Sequence, residues 1–284
     1  MNLNVSLVDI VRPVLDHVTD ETLKLVLYES FIESSESVTK IEQCFDNLPA
    51  RRWPEEVLSR FFNSWKASHL KMLAIYGLSC RLQRLALAAD GRRREQLFLA
   101  AARNGETSHE DLGLDTGGKT HADLYDRFAA AFLRGSAWRL EEYCLPDARD
   151  FRQWIYHNMV VDDIGSGLLT NIFSEIYNHG EYSLALAAFS ELVDRHYDFS
   201  AHQKSDALGY ISVHVDGDTE VDHFRVVVDA LERYNDAIGG AIDYGRAKKL
   251  FKEYLARLGA IMEALRLTIT HERQGIQLHE RPPA

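Results

Sequence analysis

The chain has 284 residues, of which 46% are hydrophobic, and its 43 acidic and 32 basic side chains give a formal net charge of −11 at pH 7. This length accommodates one large domain or two small ones around a buried core. The negative charge argues against nucleic acid and anionic membranes as partners, because both are bound by clustered positive charge.

The cysteines predict neither a disulfide scaffold nor a structural zinc site, because they are odd in number and far apart, at Cys44, Cys80 and Cys144. The N-terminal residues lack the uninterrupted apolar stretch of a secretory signal, since Asp9 and Arg12 interrupt it. No apolar run approaches the roughly 18 residues that a membrane span needs. We therefore expect a cytoplasmic protein with reduced thiols.

Helical periodicity of the apolar residues dominates the chain. The first predicted helix has a cap at Thr19 or Asp20, the second begins at Pro54, and Thr120 caps the helix that follows a glycine-containing loop. In chain order, the predicted helices cover residues 19–33, 54–87, the segment after Gly91 that contains Leu97, the segment after Thr120 that contains Phe128, 148–179, 181–197, 205–235 and 243–273.

Strand-like alternation of polar and apolar residues is nearly absent, and only six prolines interrupt the chain. We find no fixed-period repeat, no low-complexity linker and no composition shift that would divide the sequence. The pattern predicts an all-α fold of about eight to ten helices. Within it, residues 1–45 form an N-terminal helical extension, residues 46–273 the helical domain, and residues 274–284 a frayed tail.

The common catalytic motifs are missing from the sequence: it has no phosphate-binding glycine loop, no GxSxG elbow and no HExxH. Its strongest local signal is the segment 214–223. His214 and Asp218 are four residues apart, about 40° around a helix, so both can reach one metal ion. Imidazoles with carboxylates suit iron, manganese or zinc. The alternative is a solvated acidic face that carries two incidental histidines.

A second group of metal-ligand types lies upstream. Glu106 and Glu110 share a helix face, and His121 stands in the first turn of the next helix, where it can fold back beside Glu110. The alternative is a set of solvated acids before a loop.

A third candidate is Glu175, an acid inside a strongly apolar helix, with Glu181 and the Asp162–Asp163 pair as competitors. Lone acids in helices usually face solvent. The three groups follow one another in the order used by helical proteins that hold two metals between facing helices.

On these residues, the sequence from about Trp53 to Leu265 resembles the heme-oxygenase-like di-metal oxidases and oxygenases. This superfamily shares its fold with thiaminase-like proteins and a pyrroloquinoline-quinone biosynthesis oxidase. Its pattern is a Glu, a His, a Glu and then a His-x3-Asp-x2-His helix, and the segments 110–113 and 120–125 are similar to its acid-acid-x-Gly and later His segments. The resemblance implies a heme-oxygenase-like bundle with extra N-terminal helices. It also implies metal ligands at Glu110, His121, Glu175, His214 and Asp218.

The last ligand departs from that pattern. The family's final histidine would fall at Val221, and the nearest histidine is His223, two residues later. A regular helix would point His223 nearly opposite His214, so it can bind only if a π-bulge or local unwinding near Gly217 rotates it. The alternative ligands are Asp222 and Glu220.

The resemblance implies a non-heme di-iron enzyme with two Fe(II) ions and O2 as co-substrate. It would oxidise a small amino-acid- or amine-derived metabolite in secondary metabolism, by N-oxygenation, desaturation or C–C cleavage. A homodimer is also implied, and no catalytic residue is predicted beyond the metal ligands. Two alternatives stay open: a metal-independent enzyme of the same fold, either a cofactorless oxidase or thiaminase-like, and a non-catalytic helical interaction protein.

Overall fold

The computed structural model describes residues 6–69, 71–109, 111–114, 118–215 and 219–273, without the side chains of 219–220 and 271–273. Within these ranges the regular elements are all helices, as predicted. In chain order they are α1 (Leu7–Leu15), α2 (Glu21–Glu33), α3 (Ser35–Asn47), α4 (Glu55–His69), α5 (Met72–Leu87), α6 (Gly91–Glu106), α7 (His121–Phe132), α8 (Pro146–Tyr156), α9 (Ile164–His196), α10 (Ala201–Val215), α11 (Thr219–Ile238) and α12 (Tyr244–Arg273). No described helix is both long and apolar enough to cross a membrane.

Helix α9 is the centre of the bundle. Its side chains are buried around most of its circumference, which is typical of a helix enclosed by others. The prediction of two helices, at 148–179 and 181–197, was wrong here. Helix α8 gives way to a π-helical turn, and a new helix begins after Asp163, whose carboxylate accepts a hydrogen bond from the Ser166 amide. Gly180 does not end this helix.

The N-terminal helices pack onto the bundle and share one hydrophobic core with it. Helix α1 lies against α9, where a Cβ on Gly180 would clash with Leu7 Cδ1 and stand only 2.8 Å from Val11 Cγ1. The absence of a side chain at Gly180 therefore allows the two helices to approach closely. Helices α2 and α3 pack on α12, with the rings of Phe31 and Phe251 4.9 Å apart.

Two predicted helices are each divided in the structure. The helix predicted at 54–87 consists of α4 and α5, and the helix predicted at 205–235 consists of α10 and α11. Residues 216–218, between α10 and α11, are outside the described residues, and their types have low helix propensity. His214 lies on α10 and His223 on α11. Residues near the ends of these helices line the cavity described next.

Candidate functional site

A small cavity of about 40 Å³ lies inside the bundle, beside α9. Helices α4, α5, α6, α7, α9, α10 and α11, or the residues next to them, contribute to its wall. Its lining residues are mostly titratable or hydrogen-bonding: His69, Lys71, Thr107, Asp111, His121, Glu175, Asn178, Tyr182, Tyr210, His214 and His223. Four of the predicted ligands are in this set: His121, Glu175, His214 and His223.

His121 is positioned by the capping residues at the start of α7 and by a carboxylate. Thr120 and Asp123 form a reciprocal capping box that starts α7 at His121. The Nδ1 atom of His121 lies 2.8 Å from Asp111 Oδ1. Its Nε2 atom is buried and has no hydrogen-bond partner among the described residues. A histidine oriented in this way by a carboxylate presents the Nε2 lone pair to the cavity, as metal-binding histidines do.

The contact with His121 also keeps the carboxyl group of Asp111 ionised. Burial raises the pKa of this carboxyl group, but the hydrogen bond from His121 and the electrostatic interactions with His121 and Lys71 outweigh burial. The pKa of Asp111 is therefore lowered, and the group is an anion at neutral pH.

His214 is enclosed by aromatic rings. It is stacked on Tyr182, with ring centroids 4.0 Å apart and planes 6° from parallel, and its centroid is 4.7 Å from that of His121. Burial lowers the pKa of His214 well below its ordinary value, and the electrostatic interactions with His121 and His69 lower it further. The ring is thus a neutral imidazole at neutral pH, which is the form that binds metal ions.

Glu175 is buried and pairs with a lysine that the sequence analysis did not single out. Its Oε1 atom accepts a hydrogen bond from Lys71 Nζ at 2.7 Å. Its Oε2 atom lies 3.8 Å from His223 Nδ1. The carboxylate therefore stands between an ammonium group and an imidazole.

Glu181 is fully buried, but it is not part of the cavity wall. One of its oxygens accepts from the Tyr177 hydroxyl at 2.8 Å, and the other lies 2.7 Å from His69 Nε2. The opposite ring nitrogen of His69 lies 2.7 Å from the Trp65 carbonyl oxygen. Burial raises the pKa of Tyr177 well above its ordinary value, and the charge of Glu181 raises it further. Glu181 therefore fixes His69 and Tyr177.

The other candidates lie elsewhere. Glu106 and Asp222 face solvent and pair with arginines, Glu106 with Arg103 at 2.8 Å and Asp222 with Arg225 at 3.3 Å. Asp162, too, pairs with an arginine outside the cavity. Two predicted ligands, Glu110 and Asp218, are outside the described residues, as is the side chain of Glu220.

Sequence reasoning missed His69, Lys71 and Asp111 as site residues. The first two fall inside the single helix predicted at 54–87, and Asp111 was only the second acid of the acid-acid-x-Gly segment. A signal was present in α9, where Glu175, Asn178 and Tyr182 recur at helical spacing in an otherwise apolar segment. A polar stripe in a buried helix indicates a polar cavity beside it.

A second, larger groove adjoins the cavity. It has a volume of about 640 Å³ and lies between α7 and α10. Tyr210 lines both spaces, and its hydroxyl is 2.7 Å from that of Tyr182. The groove is lined by Lys119, Leu124, Arg127, Ala131, Phe199, Gln203, Ser205, Asp206, Ala207, Gly209, Tyr210 and Val213. Its size falls in the range of small-molecule sites.

Comparison with known proteins identifies the fold. No family model and no curated protein matches the sequence. Among solved structures, the chain is similar to a TenA homolog from Pseudomonas syringae, with a TM-score of 0.60 over 86% of this chain and 92% of that chain. The fold is that of the TenA homolog. The predicted all-α, heme-oxygenase-like class is thereby confirmed. With 12% sequence identity, the likeness concerns the fold alone.

Proposed function

We propose that the protein is an iron-dependent oxidase or oxygenase that uses O2 to oxidise a small amine- or amino-acid-derived substrate. One observation supports this most strongly. Three histidines and a carboxylate from four separate helices converge on one cavity: His121, Glu175, His214 and His223. Imidazole and carboxylate ligands suit iron and manganese.

The residues present fit a metal ion at the two facing histidines. His121 has a buried Nε2 atom that no described group satisfies, and a lowered pKa keeps His214 neutral. Among the described residues, no three His, Cys, Asp or Glu side chains are arranged to hold one ion. A complete set of ligands in this proposal therefore requires Glu110 or Asp218, both of which the resemblance implies as metal ligands. Both are close in sequence to residues that line the cavity: Glu110 precedes Asp111, and Asp218 lies between His214 and His223.

Bound iron would supply the activation of O2. The chain's own residues orient the proposed metal ligands and surround the cavity. Asp111 fixes the ring of His121, and Tyr182 fixes that of His214 by stacking. The small volume of the cavity, about 40 Å³, leaves little room for water beside the reacting groups. The hydroxyls of Tyr182 and Tyr210 supply a hydrogen-bond donor at the wall that faces the groove.

The groove between α7 and α10 is the place for the organic substrate in this proposal. It combines apolar side chains such as Leu124 and Phe199 with the positive charge of Arg127. Such a lining suits a substrate with an apolar body and a carboxylate. The amino-acid-derived class proposed above has both parts.

The proposal is tested by anaerobic loading of the metal-free protein with Fe(II), counting of bound iron, and admission of O2 while the visible spectrum is recorded. We expect wild type to bind iron and show a transient visible band. His214→Ala should lose both, because it removes a buried neutral imidazole. Asp162→Ala is the matched control, since its carboxylate pairs with Arg246 away from the cavity. Equal iron binding by His214→Ala and wild type would contradict the proposal.

A second candidate is an enzyme of the same fold that works without metal. It is favoured by the Lys71–Glu175 and His69–Glu181 pairs, which place proton-transfer groups around the cavity. This candidate predicts that turnover survives exhaustive treatment with a chelator. The iron-dependent proposal predicts that turnover is lost and returns on addition of Fe(II).

A further inference from the structure

We infer that Lys71 occupies one of the two cation positions expected for this kind of site, so that the protein binds a single metal ion per chain. The inference rests on the proposed function, because it concerns the metal content of the same cavity. It departs from the two-ion centre that the sequence resemblance implies. The contacts of Lys71 are its basis.

The ammonium group of Lys71 has an acceptor for each of its three N–H bonds, all on α9. It donates to Glu175 Oε1 at 2.7 Å and to the hydroxyl of Ser174. The hydrogen-bond network orients the Asn178 amide with its oxygen 3.0 Å from Lys71 Nζ and its nitrogen donating to the Ser174 carbonyl. The side chain is only 12% exposed. Lys71 is therefore built into the cavity, not directed to solvent.

The backbone holds this lysine in place. Lys71 is the last residue before α5, in the short connection after α4. Its carbonyl oxygen accepts hydrogen bonds from the amides of Ala74 and Ile75, at 2.8 and 3.0 Å. The break between α4 and α5, which the apolar pattern did not predict, is what directs the side chain of Lys71 towards α9.

The ammonium group of Lys71 limits how much further positive charge the cavity can bind. Glu175 is the cavity carboxylate of the central helix, and in a two-ion centre it would bind a metal ion. Here one of its oxygens is already neutralised by Lys71. A dication at the same carboxylate would stand a few ångströms from a buried ammonium group, where like charges repel strongly because water does not screen them. The remaining cation position is the one faced by His121 and His214.

The test is the metal content of purified protein loaded anaerobically with excess Fe(II) and desalted. We expect one iron per chain in wild type and two in Lys71→Gln, which removes the charge but keeps hydrogen-bond donors for Glu175. Lys71→Arg retains the charge and should bind one. Lys66→Gln is the matched control and should bind one, because Lys66 pairs with Asp126 outside the cavity.

The outcomes separate this inference from the proposed function. Two irons in wild type, or one iron in a folded Lys71→Gln protein, would overturn the inference and leave the iron enzyme in place. Failure of wild type to bind any metal would overturn the proposed function itself. A second measurement needs no variant: wild type loaded with Mn(II) should give the electron paramagnetic resonance spectrum of an isolated ion. The spectrum of a magnetically coupled pair would contradict the inference.

Discussion

At the scale of single residues, the site depends on pairs in which one side chain fixes the state of another. Asp111 determines which nitrogen of His121 faces the cavity, and stacking on Tyr182 fixes the plane of His214. Neither Asp111 nor Tyr182 needs to contact the metal ion. Their replacement should therefore change affinity without removing a ligand.

The substitution Asp111→Asn tests this expectation at the pair of Asp111 and His121. An amide no longer holds the charge-assisted hydrogen bond to His121 Nδ1, so we expect Fe(II) affinity to fall by about 10- to 100-fold. The measurement is an anaerobic Fe(II) titration. Asp126→Asn, which removes a carboxylate paired with Lys66 outside the cavity, should bind iron as wild type does. An unchanged affinity in Asp111→Asn would show that the pair has no part in metal binding.

His214 should also make the stability of the metal-free protein depend on pH. Burial lowers its pKa well below the ordinary value of 6.5. Below about pH 6.5 the unfolded chain therefore binds a proton that the folded chain does not, and the free energy of unfolding falls as pH falls. The slope for one such group is at most about 1.4 kcal/mol per pH unit.

Urea unfolding between about pH 7.5 and 5.5 measures this effect. His214→Gln should lose this part of the pH dependence, whereas His202→Gln should retain it, because His202 is exposed and pairs with Asp206. A His214→Gln protein with the full wild-type slope would contradict the assigned origin.

At the scale of secondary-structure elements, the breaks between helices position the residues of the site. The sequence predicts these breaks less well than it predicts the helices themselves. Apolar periodicity continues through the α4–α5 and α10–α11 breaks, so it predicts one helix where the structure has two. His223, on α11, lines the cavity together with His214 of α10. The capping signals at Asp20 and Thr120 were predictable, since each depends on a few neighbouring residues. Pairs such as Lys71 with Glu175, 104 residues apart in sequence, depend on the whole fold.

Two glycines in helix interiors should respond oppositely to alanine. At Gly180 an added Cβ would clash with Leu7 and Val11, both fully buried, so Gly180→Ala should destabilise the protein by about 1–3 kcal/mol. At Gly209, on α10, an added Cβ has no neighbour within 4 Å. Gly209→Ala should instead stabilise by up to about 1 kcal/mol.

The comparison is made by urea unfolding of both variants and wild type. It tests the close packing of α1 on the central helix. Equal stability of Gly180→Ala and Gly209→Ala would contradict that packing.

At the scale of the whole molecule, a single bundle brings together residues that are far apart in the sequence. The all-α class was predictable from periodicity and composition, and its heme-oxygenase-like form from the family resemblance. The N-terminal helices complete the bundle by covering α9 and α12. Their role was not predictable, since nothing local in residues 1–45 shows which helix they pack on.

The central claim is that His121 and His214 bind one iron ion inside this bundle. The most direct measurement is X-ray absorption at the iron edge of anaerobically loaded wild type, with Asp162→Ala as the control. We predict scattering from two imidazole rings in both proteins. An iron environment of oxygen ligands alone in wild type would contradict the account.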